Sequence, residues 1–290
     1  MILPLKREPL GCVADSMKHR YSILSTIIET EKSVDCLQAF ETKEGNDNSP
    51  HMVLELQDDS KENRCYGIQY MDPKQAQLIK SLFFCQKDKT QYLYASEEDY
   101  SKLHINVNET CSEEIFLELF IVGFYSYMSM KNTLLMHASA VAYEGNGIVF
   151  TAASGIGKTT QAELWAQYKN AKILNGDKVF LKQEEDGIHA WGSPWKGSSP
   201  YACDESAKLR AIVVLEQAEE NSIQKLTVLE AMQQFVPHVF FPCWDERCEQ
   251  AVLTFLDQVL EETEIFLLKC RPDETAVELL AARLDEEKDH

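Results

Sequence analysis

The chain has 290 residues, 44% hydrophobic and 26% charged, long enough for one large domain or two modest ones, each with a buried core. Its 28 Lys and Arg face 47 Asp and Glu, a formal net charge of −19. A surface this acidic repels nucleic acid and anionic lipid, which excludes both as bulk partners; it tolerates a basic peptide or protein, or serves solubility alone. The N-terminal MILPLKREPLGC lacks the apolar core of a signal peptide. Residues 1–111 then carry short, partly alternating apolar runs: YSILSTII, DCLQAF, HMVLELQ, CYGIQYM and TQYLYAS. Polar clusters such as ETKEGNDNSP separate them, and the pattern predicts a β-rich region of hairpins with one helix over 72–84. A buried helix follows over 112–130, opened by Ser112, Glu113 and Glu114; Glu118 interrupts its apolar run, which is too short to cross a bilayer.

From there strands alternate with helices, which argues for an α/β core over 112–290. MHASAVAYEGNGIVFTA reads as two strands around the turn 144–147, and TTQAELWAQY as a helix. AKILNGDKVFLKQ and GIHAW read as strands, the second running into a Gly/Ser/Pro loop. KLRAIVVLEQ is an apolar strand, VLEAMQQF and ERCEQAVLTFLDQVLEE are helices, EIFLLKC is a last strand, and a last helix begins at Pro272. The acidic tail LDEEKDH reads as a solvated end. Nine cysteines, an odd number without any C-x-x-C, read as reduced, largely buried thiols of a cytoplasmic protein. Cys243 and Cys248 lack the second pair a zinc site needs.

Between strand GIVFTA and the next helix lies Ala152, Ala153, Ser154, Gly155, Ile156, Gly157, Lys158, Thr159, Thr160. This departs from the phosphate-loop pattern G-x-x-x-x-G-K-[ST] only at its first position, where Ala152 replaces glycine. Glycines let consecutive N–H groups curl around a phosphate, and the helix start adds its free N–H groups and positive dipole end. Lys158 is placed to reach the β- and γ-phosphates, Thr159 to ligate Mg²⁺, and Thr160 to bond a phosphate oxygen. Ala152 matters only if that position needs a positive φ.

HASAVAYEGNGIVFTAASGIGKTTQAELW, then ILNGDKVFL, then GSPWKG, resembles the catalytic domain of HPr kinase/phosphorylase and its small relatives, a superfamily that includes phosphoenolpyruvate carboxykinase. The resemblance covers roughly 132–285 and does not extend to the N-terminal region. It implies ATP and Mg²⁺ as cofactors and two adjacent Asp after the loop helix, the first taking the acceptor's proton and the second holding the metal. Here Gly176 replaces the first, and Asp177 keeps the second, nineteen residues after Lys158. The competing reading makes Asp177 a turn residue of Asn-Gly-Asp.

His137 matches the family's histidine and is the substitute base, or else a core histidine. GSPWKG resembles a loop of the same family, which gives Trp195 the role of covering the acceptor or a nucleotide and Lys196 that of meeting the γ-phosphate; a rigid surface turn with Trp195 packed down is the alternative. Arg271, at a strand end, either neutralises transferred charge or forms a surface ion pair. The expectation is therefore an ATP-dependent kinase transferring the γ-phosphoryl group to a hydroxyl, of Ser or Thr in a peptide or small protein. Residues 1–111 are its candidate recognition element. A small-molecule kinase, and a nucleotide-binding regulatory module with little transfer, are the alternatives; an oligomer is compatible with either.

Overall fold

The computed structural model describes residues 14–42, 49–57, 84–85, 92–106 and 111–286. It is a mixed α/β protein in two compact units, Met1–Tyr127 and Met128–His290. No helix among the described residues is long and apolar enough to cross a membrane.

The first unit holds β1 (Ala14–Ile23), β2 (Thr26–Lys32), β3 (Met52–Gln57), β4 (Phe84–Cys85), β5 (Tyr92–Ala95) and β6 (Lys102–Asn106), in the order β1-β2-β3-β6-β5-β4. YSILSTII is a hairpin whose turn, Leu24 and Ser25, has φ of 53° and 58°. DCLQAF, read as a strand-like run, is instead a 3-10 helix over Asp35–Phe40. The reason is its spacing: Leu37 and Phe40 are both buried, and residues three apart eclipse in a 3-10 turn. The run CYGIQYM, the N-terminal segment and the expected helix at 72–84 lie outside the described residues, except that Phe84 begins β4. α1 (Glu113–Ser129) starts where Ser112 Oγ accepts from the Ile115 N–H at 3.3 Å. The buried rings of Phe116, Phe120 and Phe124 run along it. Gly123 lets α1 close on β6, since a Cβ there would stand 2.6 Å from Leu103 Cδ1.

The second unit is built on β7 (Thr133–Tyr143) and β8 (Asn146–Thr151), joined by a turn at Glu144 and Gly145 with φ of 48° and 80°. After β8 come α2 (Lys158–Lys169), β9 (Lys172–Asn175), β10 (Lys178–Glu184), β11 (Gly187–Trp191), β12 (Ser206–Gln217) and β13 (Ser222–Lys225). Then follow α3 (Val228–Gln234), β14 (Val239–Phe240), α4 (Glu246–Glu262), β15 (Glu264–Cys270) and α5 (Glu274–Glu286). The helix expected from Pro272 begins two residues later, because the Asp273 carboxylate accepts the Ala276 N–H at 3.1 Å and caps it. The tail beyond 286 lies outside the described residues.

The sheet order is β11-β10-β7-β8-β12-β15-β13, with β8, β12 and β15 parallel. Alternation along β12 buries Ala211, Val213 and Leu215 among Trp165 of α2 and Val277 and Leu280 of α5, while Ile212 and Val214 are buried on the opposite face. The stripe Cys248, Val252, Phe255 and Val259 is the buried side of α4. Among the described cysteines Cys111 and Cys248 are buried and Cys243 is exposed.

β7 changes partners along its length, and this creates the site. On one edge it pairs with β9 at Ala140–Ala142 and with β10 at Thr133–His137. AKILNGDKVFLKQ is thus two strands, broken at Gly176 and Asp177. On the other edge it pairs with β8 at Ala138–Tyr143 and with β14 at Leu135 and Met136. His137 stands at both changeovers.

Candidate functional site: a glycine-loop cleft

The loop from β8 to α2 takes its shape from two glycines. Gly155 and Gly157 have φ of 81° and 123°, backbone that side-chain-bearing residues rarely adopt. Ala152 has no positive φ; its methyl is buried in the core cluster around Trp165. Replacing the pattern's first glycine by alanine therefore leaves the curl intact. Ile156 anchors the loop to the same core, and its carbonyl accepts from Gln217 Nε2 at 3.1 Å, tying the loop to the end of β12. No described side chain caps the N terminus of α2, so its first N–H groups face the cleft uncapped.

Lys158 is 7% exposed. Its ammonium donates to the carbonyls of Ala152 at 3.1 Å and Ala153 at 3.4 Å. Burial pushes its pKa below the ordinary lysine range, while the charge of Asp177 works in the opposite direction. Its own carbonyl accepts from Ser139 Oγ at 2.7 Å, which fixes the start of α2 to β7. Thr159 donates its hydroxyl to the Gly176 carbonyl at 3.0 Å, leaving its oxygen lone pairs toward the cleft.

Asn175 makes the turn of Asn-Gly-Asp. It is fully buried; its Oδ1 accepts the N–H groups of Asp177 and Lys178 at 2.8 and 2.9 Å, and its Nδ2 donates to the Ser193 carbonyl at 2.9 Å. The Asp177 carboxylate is consequently not needed for the turn. It accepts from His137 Nε2 at 3.3 Å and from Lys178 Nζ at 2.8 Å. The His137 hydrogen bond, aided by Lys178 and opposed by burial, holds Asp177 far below the usual carboxylate range. His137 is half-buried, and its carbonyl accepts from Thr151 Oγ1 at 3.0 Å.

These groups meet in a cleft of about 290 Å³. His137, Ser154, Gly155, Gly157, Lys158, Thr159, Thr160, Gly176 and Asp177 line it together with Lys196, Ser198 and Ser199. Of the predicted site residues, Ile156 supports the loop from the core side. Arg271 does not line the cleft; it is 56% exposed and its Nε pairs with Asp273 Oδ2 at 3.1 Å. Trp195 is 4% exposed and packs on Phe180 at 5.8 Å between ring centroids, the packed-down arrangement, and does not line the cleft. Its neighbour Lys196 does face the cleft.

The space beside Gly176 is filled. A Cβ at 176 would stand 2.3 Å from Ser199 Oγ and 2.6 Å from Ser199 Cβ. Gly197, at φ 58°, lays its backbone so close to Asp177 that a Cβ would stand 2.8 Å from that carboxylate's carbon. The loop after β11 has thus closed over the position where the expected first carboxylate would project. Sequence reasoning missed Asn175, Ser199 and Gln217. Only the polar Asn before Gly-Asp carried a local signal, since Ser199 and Gln217 reach the loop through tertiary contacts.

The family model for the SynChlorMet cassette protein ScmC matches residues 106–247, just under half of the chain and including the whole of this cleft. No curated protein matches the chain. Among solved structures, the Hpr(Ser) kinase/phosphatase from Coxiella burnetii aligns over 54% of this chain and 99% of its own, at 11% identity and a TM-score of 0.34. An overlap of that size assigns neither fold nor activity.

Proposed function

We propose that the chain is an ATP-dependent kinase, akin to the HPr kinase-like family, that transfers the γ-phosphoryl group to a hydroxyl of a peptide or small protein in the cytoplasm. One observation carries this reading: a buried lysine and a glycine-shaped, uncapped helix start open on the same cleft as an ionised carboxylate paired with an imidazole. The first two suit a nucleotide's phosphates, and the carboxylate suits the ion that accompanies them. Gly155, Gly157, Lys158 and Thr160 would hold the phosphates, Thr159 and Asp177 the Mg²⁺. When bound, Mg²⁺ supplies charge neutralisation on the transferring group. Among the described residues no group of three or more His, Cys, Asp or Glu could cage a metal. This is compatible with an ion held mostly by phosphate and water. His137 stands in for the carboxylate absent at 176.

A second reading, a nucleotide-binding module with little transfer, is favoured by Ser199, which occupies the place of that carboxylate. Both are tested with γ-labelled ATP. Mg·ATP at about 100 times its Kd should stabilise the wild type by roughly 2.7 kcal/mol, and Lys158→Ala should lose that shift. A shift that persists in Lys158→Ala removes nucleotide binding from this loop. Tight binding without transfer to water, peptide or small-molecule hydroxyls replaces the kinase by the module.

A further inference from the structure

The cleft carries a hydroxyl of the chain's own beside the residues assigned to the ion. Lys196, Ser198 and Ser199 line it from the turn 196–199, which bends at Gly197 with φ 58°. The Lys196 carbonyl accepts from the Ser199 N–H at 3.1 Å and from Ser199 Oγ at 2.9 Å, so backbone and side chain of Ser199 are fixed together. The turn rests on Asp177, since a Cβ on Gly197 would stand 2.8 Å from that carboxylate's carbon. A Cβ on Gly176 would stand 2.3 Å from Ser199 Oγ and 3.6 Å from Thr159 Cγ2, so the Ser199 hydroxyl and Thr159 border the same point.

Phosphoryl transfer depends chiefly on where the acceptor is held relative to the transferring group and its ion. Here a half-buried hydroxyl is held there without a second molecule. An independent observation concerns the product. Lys196 is exposed, and its ammonium makes no hydrogen bond or ion pair with any described residue, although the chain carries 47 acidic side chains. It stands three residues before Ser199 on the same turn and faces the same cleft. A phosphoserine is stabilised by a neighbouring cation that can pair with its oxygens, and Lys196 is such a cation.

Resting on the kinase reading, we propose that Ser199 is a phosphorylation site of the chain itself, modified within its own cleft. The Ser199 O–H turns from the Lys196 carbonyl, and its oxygen forms a bond to the γ-phosphorus of ATP. The bond from that phosphorus to the bridging oxygen breaks, its electron pair leaving with ADP. The hydroxyl proton passes to the imidazole of His137, the base of that reading, and Lys196 pairs with the new phosphoserine.

The test incubates the full chain with γ-labelled Mg·ATP and locates the label by fragment mass spectrometry. The wild type should carry phosphate on Ser199, at a rate independent of protein concentration, and Ser199→Ala should lose it. Mixed with a mass-tagged Lys158→Ala chain, the wild type alone should be labelled. A readout without transfer uses Ser199→Cys. Mg²⁺ with a non-hydrolysable ATP analogue should slow alkylation of position 199 by iodoacetamide severalfold, because the γ-phosphate then lies against it. Label on Ser198 instead, label that appears on the Lys158→Ala chain, or alkylation that the bound analogue does not slow overturns the inference alone. So does an unlabelled wild type that phosphorylates a Ser/Thr peptide pool or releases phosphate to water. A wild type that binds no Mg·ATP, or binds it and transfers phosphate to nothing, overturns the inference together with the kinase reading.

Discussion

Asp177 and Gly176 are adjacent, yet opposite constraints act on them. Asp177 is paired on both oxygens, and its folded-state pKa is depressed, with the His137 bond the largest favourable cause. The resulting stability is fully present above the unfolded carboxylate value of about 3.9 and is lost as pH falls toward the lower folded value. Asp177→Asn should therefore destabilise by about 1 kcal/mol at pH 7 and progressively less below pH ~4. Thermal melts of both proteins across that range check this; a penalty independent of pH would show that the charge contributes nothing. At Gly176 the constraint is space. Gly176→Asp meets the Ser199 side chain at 2.3 and 2.6 Å, so it should cost about 1–3 kcal/mol by overpacking rather than restore a base. Because the obstacle is one side chain, Ser199→Gly should relieve most of that cost. A double-mutant cycle in urea would reveal additive penalties if the contact is not the cause.

At the scale of the element, the loop and α2 work as one piece. β8 delivers the chain to Ala152, two positive-φ glycines reverse it, and Lys158 opens the helix with its side chain folded back on the loop carbonyls. Ala152 belongs to the core rather than to the curl. Ala152→Gly, which completes the common pattern, should thus lower stability by about 1–2 kcal/mol through a lost buried methyl and a freer unfolded backbone. Nucleotide affinity should stay unchanged; a gain in affinity would place Ala152 in the phosphate cradle after all. α3 is held differently. Thr227 Oγ1 accepts the Glu230 N–H at 3.4 Å, and Glu230 accepts the Thr227 N–H at 2.8 Å, a capping box that starts a helix whose Val228, Leu229 and Met232 stay exposed.

Across the whole molecule, net charge acts on stability without belonging to any one contact. With 47 acidic side chains against 28 basic ones, self-repulsion opposes the compact state. Raising ionic strength from about 0.01 to 0.1 M shortens the Debye length from about 30 to 10 Å, which should raise Tm by a few degrees. A fall in Tm would mean that surface pairs such as Lys169–Glu278 and Lys269–Glu216 outweigh the repulsion.

The loop is legible in the sequence because its chemistry is local: glycine spacing sets which backbone N–H groups can converge, and an apolar strand and amphipathic helix flank it within a few residues. For the same reason the α/β alternation, α4 and β15 are readable from periodicity, and Asp177 from its distance to Lys158. DCLQAF misleads because a six-residue run with apolar side chains three apart serves either a strand or a 3-10 turn until its neighbours choose. Only tertiary structure decided that Asn175 makes the turn, that Ser199 fills the room beside Gly176, that Arg271 turns to Asp273, and that Trp195 packs on Phe180. It alone set Val239 opposite Met136, about a hundred residues apart in sequence. The register of β14 on β7 depends on which faces are buried and where β8 ends, and no local pattern near Val239 encodes it.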